Sequence, residues 1–142
     1  MRFYDGTPPE KQQHMLRILY GIVSKRSDDN CCCFSEDKET FGEDTKIVYR
    51  HYATLFFILV VDSAESELGI LDLIQVFVHV LDQCFENVCE LDLVYHFDKV
   101  NYILDEIIIG GMVLETNVDS ILASLDATKK VEQSETSLFG LT

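Results

Sequence analysis

The carboxylates Glu90, Asp92, Asp98, Asp105 and Glu106 lie close together in the chain, and two carboxylates in different surroundings can act as general acid and general base. No His, Ser or Lys is obviously placed to complete such a site, so these acids are read more simply as the solvated face of a helix. Cys31, Cys32 and Cys33 are consecutive and cannot pair comfortably with one another, and Cys84 with Cys89 lacks the Cys-x-x-Cys spacing of redox and zinc sites. His14, His51, His79 and His96 show no paired ligand spacing. Gly110-Gly111 is followed by no Gly-Lys-Ser/Thr and reads as a helix stop, not a phosphate loop. The residue types therefore argue for no catalytic residues, no metal and no cofactor. An enzyme using the carboxylates or a metal stands as the competing reading; it predicts a self-sufficient monomer that takes up a divalent ion or a small ligand.

The elements that would hold any site are arranged around the stretch from Ser66 to Leu93. Up to Phe85 it predicts one long helix, with apolar residues at Ile70, Ile74, Phe77, Val78, Leu81 and Phe85, and with Leu73, Val76 and Val80 on the flank. Only a thin stripe is polar: Asp72, Gln75, His79, Asp82 and Glu86. A helix of this length spans about 30 Å, close to the width of a small domain, and one this apolar needs cover on most sides. Part of that cover is expected from another protein.

Length and composition narrow the classes further. The chain has 142 residues, 47% of them hydrophobic, with two prolines and a formal charge of -14. One globular domain over residues 1–129 is expected, followed by a flexible tail over 130–142. The negative charge argues against nucleic acid and against a basic membrane-binding patch, so the expected partners are proteins. No run approaches the eighteen or so apolar residues of a transmembrane helix, the longest being Ala53 to Val61, and the first residues carry no apolar signal core. A cytosolic chain with five reduced thiols is expected.

In chain order, Thr7, Pro8, Pro9 and Glu10 predict a capped helix start. That helix runs to about Ser24, with Met15, Ile18, Leu19 and Ile22 buried and Lys25 and Arg26 suiting its end. Cys31 to Phe34 predicts a short edge strand, and Glu36 to Asp44 a mobile loop. Lys46–Arg50 and Leu55–Val61 predict an antiparallel hairpin joined through 51–54, its second strand apolar on both faces. Asp62, Ser63 and Ser66 offer caps to the long helix. A third helix is predicted from Glu90 to Ile109, with Leu93, Phe97, Val100, Leu104 and Ile107 inward. Asn117 caps a last one carrying Val118, Ile121, Leu122 and Leu125.

The run from Thr45 to Asn117 resembles the small (sigma) chains of the clathrin-adaptor complexes. Tyr49-Arg50-His51-Tyr52-Ala53 and Asn87-Val88-Cys89-Glu90-Leu91-Asp92-Leu93 carry the resemblance most specifically. Asp62 to Val78 and Gly110 to Asn117 resemble the small chain of adaptor complex 3 more than those of complexes 1 and 2, and weaker similarity reaches back to Phe3 and Tyr4.

The resemblance implies an α/β (α+β), longin-like fold: an antiparallel sheet, five-stranded in the family, with helices on both sides. It implies a first strand absent from this chain, which would start at Arg2, Phe3 and Tyr4 within the family's second strand. The preceding turn, with the basic residue that assists with the acidic part of a sorting signal, would be absent too. It further implies a non-catalytic subunit packed on a large (delta) chain and, through it, on the beta and medium chains. Cargo cytoplasmic tails are the expected ligands, through acidic dileucine signals, on the cytoplasmic side of Golgi, endosome and transport-vesicle membranes without insertion into them. Carried over by position, the dileucine pocket falls on Ala53, Leu55, Val78, Asn87, Val88 and Leu93. Another longin-type trafficking subunit is the alternative within this class.

Overall fold

In the computed structural model, residues 2–4, 6–25, 31–34, 38–109, 112–113 and 116–138 are described. The chain forms two compact units, Met1–Ile74 and Gln75–Thr142, where one domain over 1–129 was expected from sequence.

The first unit begins with helix α1, Pro9–Ser24, whose N-cap is Pro8. The Gln12 Nε2 donates to the Thr7 carbonyl at 2.8 Å, so the opening turn is closed from inside the helix. Residues 2–4 join no strand among the described residues, which corrects their expected place in one. Strand β1, Cys31–Phe34, pairs antiparallel with β2, Thr45–Tyr52, and β2 with β3, Leu55–Asp62. The β1–β2 connection holds a turn of helix, α2, Lys38–Phe41, inside the expected mobile loop. It forms because Phe41 has a core to pack on. Leu19 and Val23 of α1 bury against Ile47 and Tyr49 of β2, with Ile22, Phe41 and Ile58 around them. Of the four positions expected to be buried on α1, Leu19 is, while Met15, Ile18 and Ile22 stay half-buried and Val23 is buried instead. Val48, on the other face of β2, is also fully buried. The expected burial of β3 on both faces fails at Phe56 and Val60, which are exposed.

Helix α3, Glu67–Phe85, runs through the boundary between the units. Its start is held by Ser66, whose Oγ accepts from the Gly69 N–H at 3.3 Å and whose carbonyl accepts from the Ile70 N–H at 3.0 Å. Ile70, Leu73, Ile74, Val78, Val80 and Leu81 are buried, while Asp72, Gln75 and His79 face out. The apolar face follows the heptad-like spacing, and the polar stripe is as thin as the sequence predicts. By length and composition alone α3 is apolar enough to cross a bilayer, contrary to the expectation that no segment would be. Only 33% of its apolar window is buried within the chain.

In the second unit the single helix expected over 90–109 is broken into α4, Glu90–Tyr95, and α5, Phe97–Ile107, at His96, whose φ of -123° and ψ of 39° are not helical. The break rotates the buried face: Ile103 and Ile107 are fully buried, whereas Phe97, expected inside, is exposed. Ile108–Ile109 (β4) and Met112–Val113 (β5) form a separate two-stranded antiparallel ribbon, so among the described residues the strands number three and two in two antiparallel sheets. The glycine stop at 110–111 lies outside the described residues. Helix α6, Val118–Leu138, is capped by Asn117, whose Oδ1 accepts from the Ser120 N–H at 3.0 Å. It packs on α5 with Ile121 and Leu125 buried, and the Ser124 hydroxyl donates to Glu106 Oε2 at 2.8 Å. The helix continues through 130–138, which corrects the expected tail: once docked, a helix extends through polar residues that have no periodicity of their own. Residues 139–142 lie outside the described set, as do Arg26 and the side chains of Cys31, Cys32 and Cys33.

Candidate functional site

Two of the six sequence-predicted positions lie in the first unit. Ala53 occupies the two-residue turn between β2 and β3, exposed, with a φ of +53°. Two-residue hairpin turns favour left-handed φ because their twist then matches that of the strands, and Gly, Asn or Asp usually fills the position. Alanine there is mildly strained. Leu55 follows at the first position of β3, half-buried. The hairpin end is braced by His51 and Phe56, direct cross-strand partners whose rings stack 4.2 Å apart and 7° from parallel.

The other four lie in the second unit: Val78 on α3, Asn87 and Val88 in the connection from α3 to α4, and Leu93 on α4. Val78 and Val88 are buried, Leu93 is half-buried and Asn87 is exposed. Glu86 and Asn87 are both left-handed, at φ +52° and +75°. Such a pair persists only where its surroundings hold it, and here Asp82 does so twice. Its backbone carbonyl accepts from the Asn87 N–H at 3.4 Å, and its Oδ1 accepts from the Val88 N–H at 3.1 Å. Lys99 closes the end of α3 from α5: its Nζ donates to the Cys84 carbonyl at 3.2 Å and stands 4.6 Å over the Phe85 ring. The His96 ring also stacks on Phe85, its centroid at 5.8 Å. Sequence reading missed Asp82 and Lys99 as positioning residues. The available signal was an Asp in the last turn of a helix followed by Glu-Asn with no Gly to make the left-handed stop.

Charge at this end is set by short contacts. The Cys89 N–H donates to Asp92 Oδ2 at 3.0 Å, and this bond, with a further one from the Cys89 thiol, holds the Asp92 carboxyl below its ordinary range. Burial pushes the Cys84 thiol up, against the opposing pull of Lys99. Both Cys84 and Cys89 are free thiols. Among the described residues no group of three or more His, Cys, Asp or Glu side chains is arranged to hold a metal ion, and the carboxylates from Glu90 to Glu106 are spread over two helices, with Glu106 engaged by Ser124. What the arrangement offers chemically is a rigid turn with an outward amide, a buried valine on each side of it in sequence, and apolar side chains beyond. Leu91, Val94, Tyr95 and Phe97 are each at least 63% exposed.

Residues 1–132 match the family described as clathrin adaptor complex small chain. The chain is 58% identical over 136 residues to the human AP-3 complex subunit sigma-2, covering 95% of this chain and 70% of that one. It is 54% identical over 140 residues to the AP-3 complex subunit sigma of Dictyostelium discoideum, covering 97% of this chain and 82% of the relative. Its fold superposes on a chain from a homology model of the full-length AP-3 complex in a stretched open conformation, with a TM-score of 0.70 at 39% identity, covering 96% of this chain and 88% of that one.

Proposed function

The chain belongs to the clathrin adaptor complex small chain family, and from that premise we propose that it is the sigma subunit of an AP-3-type vesicle adaptor, non-catalytic, held on a large delta chain. The observation that carries the reading is the run from Leu91 to Phe97. Four of its seven residues are large, apolar and at least 63% exposed, although the same chain fully buries Ile103 and Ile107 a few residues on. Large apolar side chains left this exposed within one short run fit a protein interface, and a self-sufficient enzyme would have little use for them. Through the delta chain the subunit joins the beta and medium chains and sits peripherally on the cytoplasmic face of vesicle, endosome and Golgi membranes, serving transport to lysosome-related organelles.

Its ligand in this reading is an acidic dileucine signal in a cargo tail, taken up by Ala53, Leu55, Val78, Asn87, Val88 and Leu93. The chemistry suits each position. Two leucines need apolar side chains, and Leu55, Val78, Val88 and Leu93 are of that kind, with a small residue such as Ala53 to admit them. The Asn87 amide, turned outward by a held left-handed backbone, can donate to and accept from a peptide backbone. Burying two leucines is worth about 3 to 6 kcal/mol before ordering costs, which suits a transient, micromolar-range contact.

Co-expression with the trunk of the delta chain, followed by size-exclusion chromatography, tests the assembly. A one-to-one complex, with the chain aggregating when expressed alone, is the expected result. A soluble monomer that ignores the delta chain would end this reading. Titration of the complex with a labelled acidic dileucine peptide then tests the pocket, the dialanine peptide being the control.

A further inference from the structure

We propose that the outward face of α1 docks an acidic, amphipathic helix of a partner protein, seated in a notch at Gly21. Two features that nothing else in the fold accounts for meet there. Gly21 lies inside a 16-residue helix, and a Cβ built on it meets nothing within 4 Å. Glycine disfavours a helix relative to alanine, and no close approach within the chain offsets that here. A bare backbone on an open helix face is what the close approach of another chain requires. The side chains that border the notch at helical spacing are Arg17, Ser24 and Lys25, with His14 one turn earlier. Beside it Leu16 and Tyr20, four residues apart, form an apolar ridge that is 47% and 71% exposed.

Charge selects the partner. Lys11, Arg17 and Lys25 stand exposed on this segment against one exposed acid, Glu10, in a chain whose formal charge is -14. Glu39 on α2 is an exposed acid of the same unit, as are Glu43 and Asp44 after it, and Phe41 between them packs on the same core cluster as Leu19 and Val23. A segment carrying carboxylates next to apolar residues complements this face, while most of the remaining surface repels it. A helix suits the shape, because a ridge can lie in the groove that a glycine opens and bring the two axes to the short end of the usual 8–10 Å spacing. An anionic membrane is the weaker fit, since stable lipid recognition takes clusters of about four to eight cations. This face is separate from the proposed dileucine pocket and does not depend on it.

The test uses the full chain, in complex with the delta trunk where that is needed for solubility. The probes are two fluorescent 21-residue peptides built on the same Ala/Leu helix, one with Glu and one with Lys at the flanking positions. By anisotropy the Glu peptide is expected to bind at least about tenfold more tightly than the Lys peptide, and to weaken as salt rises. Arg17→Glu and Gly21→Leu are each expected to weaken it about tenfold or more, at one or two contacts' worth of affinity. Gly21→Ala separates docking from folding: it should raise the melting temperature by about 2–4 °C while still weakening the peptide. Equal binding of the two peptides, or undiminished binding to both Arg17→Glu and Gly21→Leu, overturns the proposal. So does binding to phosphatidylserine vesicles with none to the Glu peptide.

Discussion

Replacing Asn87 by glycine separates the stability of the α3–α4 turn from the ligand chemistry assigned to it. At φ +75° an L-residue is held in the left-handed region, at a cost of about 1–2 kcal/mol for most side chains and less for asparagine. Glycine removes that strain but gives up about 0.5–1 kcal/mol of chain entropy on folding. The two terms nearly cancel. The Asn87 N–H bond to the Asp82 carbonyl survives, because glycine keeps its N–H. Asn87→Gly is therefore expected to stay within about 1 kcal/mol of the parent, a melting shift of no more than about 4 °C. Binding should respond differently. Loss of one amide hydrogen bond to a peptide backbone, at about 0.5–1.5 kcal/mol, weakens an acidic dileucine peptide about two- to twelvefold. Asn87→Ala loses the same amide and keeps the strain, so it should bind as poorly as the glycine variant while melting lower. Fluorescence polarisation and differential scanning calorimetry on the complex with the delta trunk read the two quantities. An unchanged affinity in Asn87→Gly would remove Asn87 from the pocket, and a fall in stability well beyond 1 kcal/mol would show that its side chain holds the turn instead.

Further outcomes follow from the same region. Asp82→Ala strips the acceptor from the part-buried Val88 N–H and should destabilise by about 1–2 kcal/mol, seen in denaturant midpoints, whereas Asp82→Asn keeps an acceptor and should lose about half as much. Because hydrogen bonds from Cys89 hold the Asp92 carboxyl low, Asp92 contributes stability above the ordinary carboxylate range, and this is lost as pH falls through its depressed value. The protection of the Cys89 amide, its exchange rate relative to the intrinsic rate at each pH, should fall in acid, and Asp92→Asn should abolish that change in protection. With its thiol pushed up by burial, Cys84 should be alkylated at pH 8 about tenfold more slowly than exposed Cys89, as peptide mapping after iodoacetamide would show.

Elements whose register is fixed by local pattern were legible in the sequence. The hairpin of β2 and β3, the apolar face and Ser66 cap of α3, and the Asn117 cap of α6 all sit where spacing placed them. Errors arose where tertiary contact overrides local preference. Helix α5 turned its buried face to Ile103 because the chain breaks at His96, a residue that carries no break signal by itself. Likewise α6 runs on to Leu138 after docking through Ile121 and Leu125, although the residues beyond Lys130 show no period. At the candidate site the six positions came from resemblance, not from pattern. Periodicity alone would file Val78, Val88 and Leu93 as core, and Asp82 and Lys99 act only through a turn whose geometry is invisible until folded.

That turn also bears on how a weak signal peptide could be recognised at all. A loop that must order on binding gives up about 0.5–1.5 kcal/mol for each side chain it immobilises, a large share of what two leucines return. Between α3 and α4 the ordering is already done: Asp82 fixes two successive backbone N–H groups, Lys99 ties the Cys84 carbonyl, and Val88 is buried next to the left-handed pair. Only the outward Asn87 side chain is left to settle. The opposite holds for Leu91, Val94, Tyr95 and Phe97, which lie bare a few residues on. Their burial by a partner subunit would add stability by mass action, so the chain's melting temperature should depend on partner concentration while the geometry of the turn does not. If the proposed pocket and the proposed assembly both hold, a turn already fixed in the chain and an apolar run covered only by the partner would confine cargo binding to the assembled adaptor without any conformational signal passing between the two.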